Sequence, residues 1–263
     1  LKTQENIRAE KLHIADTIGE QGALYLNGDD PMLQQLRESY TGKIVWYGME
    51  SDCDYQAVNI DTVKDCTRFE LHAPFGAHKI MIPALGLHNV SNALAAIAVA
   101  YDQGLTLDDI RCGLLTYEGL AMRQQIHELD KITVIDDSYN ASPDSIKSGI
   151  GVLMAVKSTG KKIAVLADML ELGERSAQAH LELGAYAAAS GVDAVVTVGR
   201  EAEKIAEGAA EESRKILVKA CETNDEAFAE LEKILNDGDC VLVKGSRGMH
   251  TDEIVQKLLT KYQ

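Results

Sequence analysis

The sequence predicts an α/β protein in which a mixed sheet, with antiparallel strands and helices, precedes a doubly wound parallel sheet. Three observations lead there. From Arg123 onward strand-like and helix-like segments alternate. The strand segments of that half, "ITVID", "KIAVLAD", "DAVVTVG", "KILVKA" and "CVLVKG", are Val/Ile-rich runs without polar alternation. That is the pattern of strands covered by helices on both faces. Between Asp54 and Ile82 the segments "YQAVNID", "TRFELHA" and "HKIMIPA" alternate instead, as antiparallel strands joined by turns such as "PFGAH" do.

The elements follow in order. Residues 3–19 place Ile7, Leu12, Ile14, Ala15 and Ile18 near one helical face. "GALYLNGDDPMLQQL" reads as a strand, a polar turn and a helix that starts at Pro31 with Asp30 as its cap. "GKIVWYGM" is a second strand. The Ala-rich stretch 88–102 is a helix, and "TLDDIRCGLLTY" is another, capped by Thr106 with Asp108 and Asp109 in its first turn. In the second half, helices are expected near 143–155, 176–190, 201–208, 224–236 and 250–261, and the domain boundary near residue 128, dividing 1–128 from 129–263.

Composition narrows the function classes. The 263 residues suffice for two domains. With 26 Lys+Arg against 41 Asp+Glu, a net charge of −15, the chain lacks the basic footprint of a nucleic-acid binder. Any phosphate ligand must then be held by local glycines, helix N-termini and a few placed cations. No apolar run approaches the roughly 18 residues of a membrane span. The first residues carry no apolar core with a small-residue cleavage site, so no signal peptide is expected. The chain opens on Leu rather than Met, which suggests a start partway through a longer protein. Five widely spaced cysteines without a C-x-x-C pair read as reduced thiols in a cytoplasmic protein.

Several motifs place polar chemistry where strands hand over to helices. In "GLHNVSN", Asn89 and Asn92 are three apart and share a face at a helix start. Amides that donate and accept suit an adenine edge; equally, His88 or Asn89 caps the helix while Asn92 faces water. Arg123 in "AMRQQI" suits a nucleotide phosphate or ribose, or a surface ion pair. "VIDDSYNASPDS" divides in two. Ser142, Pro143 and Asp144 read as cap, first helical residue and first-turn acid. Asp136 and Asp137 end a strand, where ligands of open α/β sheets gather. Two carboxylates on one turn repel unless a cation, metal or donor sits nearby. "LADMLELGERSAQAH" puts Asp168 at another strand end and His180 on the next helix. "VLVKGSRGMH" sets Lys244, Ser246 and Arg247 among glycines before a helix, an anion-site pattern that is not the Walker A sequence. Nothing in the chain matches G-x-x-x-x-G-K-[ST]. Lys11 in "ENIRAEK" reads on composition as a helix-surface lysine.

Taken together, "ENIRAEK", "LNGDDP", "GLHNVSNALAA", "MRQQ", "IDDSYNASPDS", "VLADMLELGERS…H" and "VLVKGSRGM" resemble, in order, the Mur ligase family of peptidoglycan synthesis. The resemblance covers nearly the whole chain. It implies the second half of a central ATP-binding domain followed by a Rossmann-like C-terminal domain, with the P-loop and a UDP-binding domain outside these residues. It implies an ATP-dependent amide ligase, using ATP and Mg²⁺, that joins D-alanyl-D-alanine to UDP-N-acetylmuramoyl-tripeptide and acts as a cytoplasmic monomer, inactive as this piece alone. By resemblance Lys11 is a carbamylated, Mg²⁺-linked lysine, a cation turned into a carboxylate-like anion. His88, Asn89 and Asn92 fall at the adenine side, and Arg123, Asp136, Tyr139 and Asn140 at the nucleotide. Lys244 and Arg247 are implied as catalytic, and Asp168 and Ser246 as substrate-binding. Closure of the two domains would bring the groups together. The sequence departs from the family pattern at Leu87, where many relatives carry Arg, and at Gly28 and Ala167. Other Mur-type ligases, folylpolyglutamate synthase and a non-catalytic nucleotide-binding module are the alternatives; the "DNPR"-like motif of the diaminopimelate- or lysine-adding ligase is absent.

Overall fold

The computed structural model describes residues 3–19, 22–50, 52–64 and 66–263. The chain divides into two compact units, 1–118 and 119–263.

The first unit contains α1 (Gln4–Leu12), a 3₁₀ turn (His13–Thr17), β1 (Ala23–Asn27), two short helices α2 (Pro31–Gln34) and α3 (Leu36–Ser39), β2 (Lys43–Gly48), β3 (Tyr55–Val63), β4 (Cys66–Ala73), β5 (Gly76–Ile82), α4 (Leu87–Asp102) and α5 (Leu107–Leu115). Its sheet runs β1-β2-β3-β4-β5, parallel through β3 and antiparallel from there, so the expected alternating segments are the antiparallel half. Val90, Leu94 and Ile97 of α4 lie against Tyr55, Phe69, Leu71 and Ile80 of the sheet. Burying a side chain of that size stabilises by about 1.5–3 kcal/mol. Asp30 accepts from the amides of Met32 and Leu33, the cap expected from sequence. Thr106 and Asp109 form a reciprocal capping box on α5. The N-terminal helix is shorter than its apolar spacing predicts. Ile7 and Ile14 remain 43% and 64% exposed, so no packing sustains the α-helical register and the chain tightens to a 3₁₀ turn after Leu12.

The second unit contains β6 (Gln125–Glu128), β7 (Thr133–Asp137), α6 (Pro143–Ala155), β8 (Lys162–Ala167), α7 (Ser176–Ala189), β9 (Ala194–Val198), α8 (Glu203–Glu212), β10 (Leu217–Cys221), α9 (Asn224–Ile234), β11 (Cys240–Lys244) and α10 (Asp252–Tyr262). The sheet order is β10-β9-β8-β11-β7-β6, parallel throughout except for the antiparallel edge strand β6. That edge strand corrects the expected boundary. "QIHE" pairs with β7 rather than ending the preceding domain, so the division falls between Glu118 and Gly119, not at residue 128. Val134, Val165, Val196 and Val243 point to one face, under α9 and α10. The alternate residues, Ile135, Leu166 and Leu242, point to the other and are fully buried, as are Ile146, Ile150 and Leu153 of α6. Both faces are covered, which explains the unalternating strands. None of the five cysteines forms a disulfide. No helix of the described residues is long and apolar enough to cross a membrane.

Candidate functional site

Strands β7, β8 and β11 lie side by side, and their carboxyl ends carry most of the residues singled out by sequence. Pairing decides which side chains meet. In the parallel register Lys244 sits opposite Asp137 on one flank and Leu166 on the other. Paired residues of neighbouring strands point to the same face, so the Lys244 ammonium meets the Asp137 carboxylate, Nζ to Oδ2 2.8 Å. Both are buried, at 2% and 6% exposure. Lys244 Nζ also donates to the Asn140 carbonyl at 2.9 Å. Burial pushes the Asp137 carboxyl up from its ordinary range, opposed by the ammonium. Burial likewise pushes the Lys244 ammonium down, opposed by the carboxylate. Each charge depends on the other to remain in so dry a place. Gly149 of α6 makes the room: a β-carbon there would stand 3.2 Å from Asp137 Oδ2 and 3.5 Å from the Lys244 side chain.

The two adjacent aspartates therefore do not share one environment. Successive strand residues face opposite ways. Asp137 takes the cation, while Asp136 Oδ1 accepts from the Ser138 amide at 3.1 Å and from its hydroxyl. The repulsion anticipated from sequence is relieved by a cation for one carboxylate and by donors for the other.

Above this pair the turn presents its polar groups outward. Tyr139 is 44% exposed, and its amide donates to the Met122 carbonyl at 3.1 Å. The Arg123 guanidinium carbon lies 4.3 Å from the centre of the Tyr139 ring, a cation–π contact. Arg247 Nη1 lies 3.7 Å from Met122 Sδ and 3.5 Å from Asp252 Oδ1. Two exposed guanidinium groups thus flank Met122. Among the described residues, none of the carboxylates forms an ion pair with Arg123. The Asn140 side chain accepts from the Ala141 amide. Ser142 and Ser145 form a capping box on α6, with Pro143 in the first turn, as the sequence indicated.

Asp168 and Ser246 are drawn into the scaffold. Asp168 Oδ1 accepts from the Ala202 amide at 2.7 Å, ahead of α8. Burial pushes its carboxyl up, partly offset by that amide. Ser246 Oγ accepts from the Leu170 amide at 2.9 Å, and its own amide donates to the Asp168 carbonyl. The Asp168 side chain therefore ties the loop after β8 to the start of α8, and the Ser246 side chain ties the loop after β11 to the loop after β8, at 8% and 4% exposure.

In the first unit Gly86, at φ +92°, opens α4 without a side-chain cap. Asn89 Nδ2 donates to the Leu85 carbonyl at 2.8 Å, while Asn92 is exposed and His88 half-buried. Lys11 lies exposed on α1. Among the described residues, none of the His, Cys, Asp and Glu side chains gather in threes to hold a metal. A metal at Lys11 would need further oxygen ligands in addition to the described residues around it.

Sequence reasoning missed Met122 and Gly149, and it named Asp137 with Asp136 without finding its partner Lys244. For Asp137 a signal existed: it and Lys244 are each the last residue of a strand, and only register decides that those strands are neighbours.

The fold and this strand-end site define a doubly wound α/β domain following a mixed-sheet unit, and two family descriptions match the chain. The Mur ligase middle domain matches residues 1–100, and the Mur ligase glutamate ligase domain matches residues 122–247. The chain belongs to the Mur ligase family. It is 35% identical over 260 residues to the UDP-N-acetylmuramoyl-tripeptide–D-alanyl-D-alanine ligase of Bacillus subtilis, covering 98% of this chain and 56% of that protein. It is 30% identical to the ligase of the same name from Escherichia coli, covering 94% and 54%. Among solved structures it is similar to MurF of Acinetobacter baumannii, with TM-score 0.88, 31% identity and coverage of 98% and 56%. It is also similar to the MurF ligase of Thermotoga maritima in complex with ADP, with TM-score 0.85, 26% identity and coverage of 99% and 58%. The chain spans about half the length of the relatives it matches.

Proposed function

We propose that this chain works in an ATP-dependent amide ligase that joins D-alanyl-D-alanine to UDP-N-acetylmuramoyl-tripeptide in the cytoplasm, as a monomer. The observation that carries the proposal is the 35% identity, sustained over 98% of the chain, to a protein of that name. ATP would transfer its γ-phosphoryl to the terminal carboxylate of the tripeptide, giving an acyl phosphate and ADP. The amine of D-alanyl-D-alanine would attack the acyl carbon, and inorganic phosphate would leave with its bonding electrons as the amide forms. Such transfers depend on positioning and on cations beside developing negative charge. Arg123, held on Tyr139, and Arg247 are the exposed cations assigned to that task. Asn92, Asn89 and His88 are assigned to the adenine side, and Lys11, as a carbamate, to the metal. The phosphate cradle must come from a P-loop, which these 263 residues do not contain.

The test is substrate dependence. With a P-loop-bearing segment in cis, ADP release is expected only when ATP, UDP-tripeptide and D-alanyl-D-alanine are all present. The 263 residues alone are expected to be inactive. Equal turnover with free glutamate and a folate would overturn the assignment in favour of a folylpolyglutamate synthase. Nucleotide binding without turnover on any of these substrates would favour a non-catalytic module.

A further inference from the structure

The buried position of Lys244 conflicts with a direct part in the chemistry. Its ammonium is shielded on all sides, held by Asp137 Oδ2 at 2.8 Å and by the Asn140 carbonyl at 2.9 Å. A group 2% exposed with two partners already in place has no path to a substrate. The pair is also neutral as a unit, so it adds little to the field felt by an anion outside. Its second contact is the informative one. Asn140 directly follows Tyr139, the residue whose ring underlies Arg123 and whose amide is tied to Met122. A chain of contacts thus runs from the end of β11, through the Lys244 ammonium, to the backbone of the turn that supports the exposed guanidinium.

We infer that Lys244 is a positioning residue: with Asp137 as its counter-ion, it clamps the Asn140 carbonyl and so fixes the Tyr139 ring beneath Arg123, leaving Arg123 as the cation that meets an anionic substrate. This deepens the ligase reading above and rests on it for the identity of that anion, but the clamp itself does not depend on that identity. Gly149 belongs to the same device, because a β-carbon there would press on Asp137 Oδ2 at 3.2 Å and on the Leu242 side chain at 3.3 Å.

Removing one partner strands a buried charge and threatens folding, so the test removes both. The double variant Asp137→Leu, Lys244→Met replaces the ion pair by apolar groups of similar size and deletes the bond to Asn140. In the 263-residue chain, the Arg123 side-chain protons above the Tyr139 ring are expected to show an upfield ring-current shift, with Tyr139→Leu defining its absence. The double variant is expected to keep the wild-type fold by circular dichroism and to lose that shift. In the ligase-competent protein it is expected to raise KM for the nucleotide about tenfold with kcat little changed, because a displaced binding group weakens capture before it alters the chemical step. A folded double variant with the shift intact would overturn the clamp. So would a collapse of kcat at unchanged KM, which would return Lys244 to the reacting atoms. If the Leu/Met pair fails to fold, the neutral pair Asp137→Asn, Lys244→Gln replaces it under the same criteria, since glutamine is too short to span to Asn140. A wild-type protein that shows the ring-current shift but no ligase turnover would defeat the functional reading and leave the clamp standing.

Discussion

The imidazole of His180 accepts a hydrogen bond from the Met169 amide, Nε2 to N 3.0 Å, while its Nδ1 donates to the Ser176 carbonyl at 2.8 Å. Both ring nitrogens are occupied and the ring is fully buried. A histidine so placed supports the loop after β8 and cannot act as a solvent-facing base. Replacing it by alanine leaves a cavity and an orphaned amide. His180→Ala is expected to lower stability by about 3 kcal/mol, read from urea unfolding midpoints. A loss below about 1 kcal/mol would show that the loop is held without it.

Helices α7 and α8 approach each other through glycine. A β-carbon at Gly208 would stand 2.0 Å from the Leu181 carbonyl oxygen, and one at Gly184 would stand 2.0 Å from that of Ile205. Backbone cannot yield as a side-chain tip can. Gly208→Ala is expected to cost about 2 kcal/mol or more. Gly151, on α6, has open space around it. There the same change is expected to stabilise by roughly 0.5–1 kcal/mol, since alanine loses less backbone entropy in a helix. Thermal unfolding of the two variants should shift in opposite directions.

Alkaline stability should report on Tyr25. Burial first, and then its hydrogen bond to Asp102 at 2.7 Å, push the Tyr25 hydroxyl up to about 12. The folded state then keeps a proton that the unfolded chain releases near pH 10. This contribution is fully present below about pH 10 and is lost as pH rises toward 12. Tyr25→Phe is expected to flatten the fall in stability across that window. Some slope will survive, because burial also pushes Tyr55 up to about 12. An unchanged slope in denaturant titrations at pH 9 to 12 would refute the assignment.

Arg123 separates stability from function. It is exposed, and its contact with Tyr139 is of the kind that contributes about 0.5–1 kcal/mol at a surface. Arg123→Ala should therefore leave the melting temperature nearly unchanged. If Arg123 meets the nucleotide, the same variant should raise KM for ATP about tenfold or more, the value of a lost charge-assisted hydrogen bond. Arg123→Lys should recover only part of this, because the ammonium lacks the planar fork. Kinetics indistinguishable from wild type would remove Arg123 from the proposed site.

Local signals carried far in this chain. Val/Ile runs without alternation, the Asp30, Thr106 and Ser142 caps and the alternating segments of β3 to β5 state their structure in a few residues each, because capping and burial periodicity are short-range effects. The point where the N-terminal α-helix ends and the edge strand β6 were not legible. The first depended on packing that Ile14 does not find, and the second on a partner strand, β7, that follows it after a turn.

Sequence alone thus determined the α/β class, the order of most elements and the family likeness of the motifs. Tertiary structure alone decided what the motif residues touch. Asp136 and Asp137 look equivalent as letters, yet the pleat turns them to opposite faces and gives one a lysine and the other the amide and hydroxyl of Ser138. Lys244 is 107 residues from Asp137 in the chain (244 − 137) and next to it in the sheet. That adjacency arises because β11 inserts between β7 and β8, and strand order and register follow from the packing of the whole sheet.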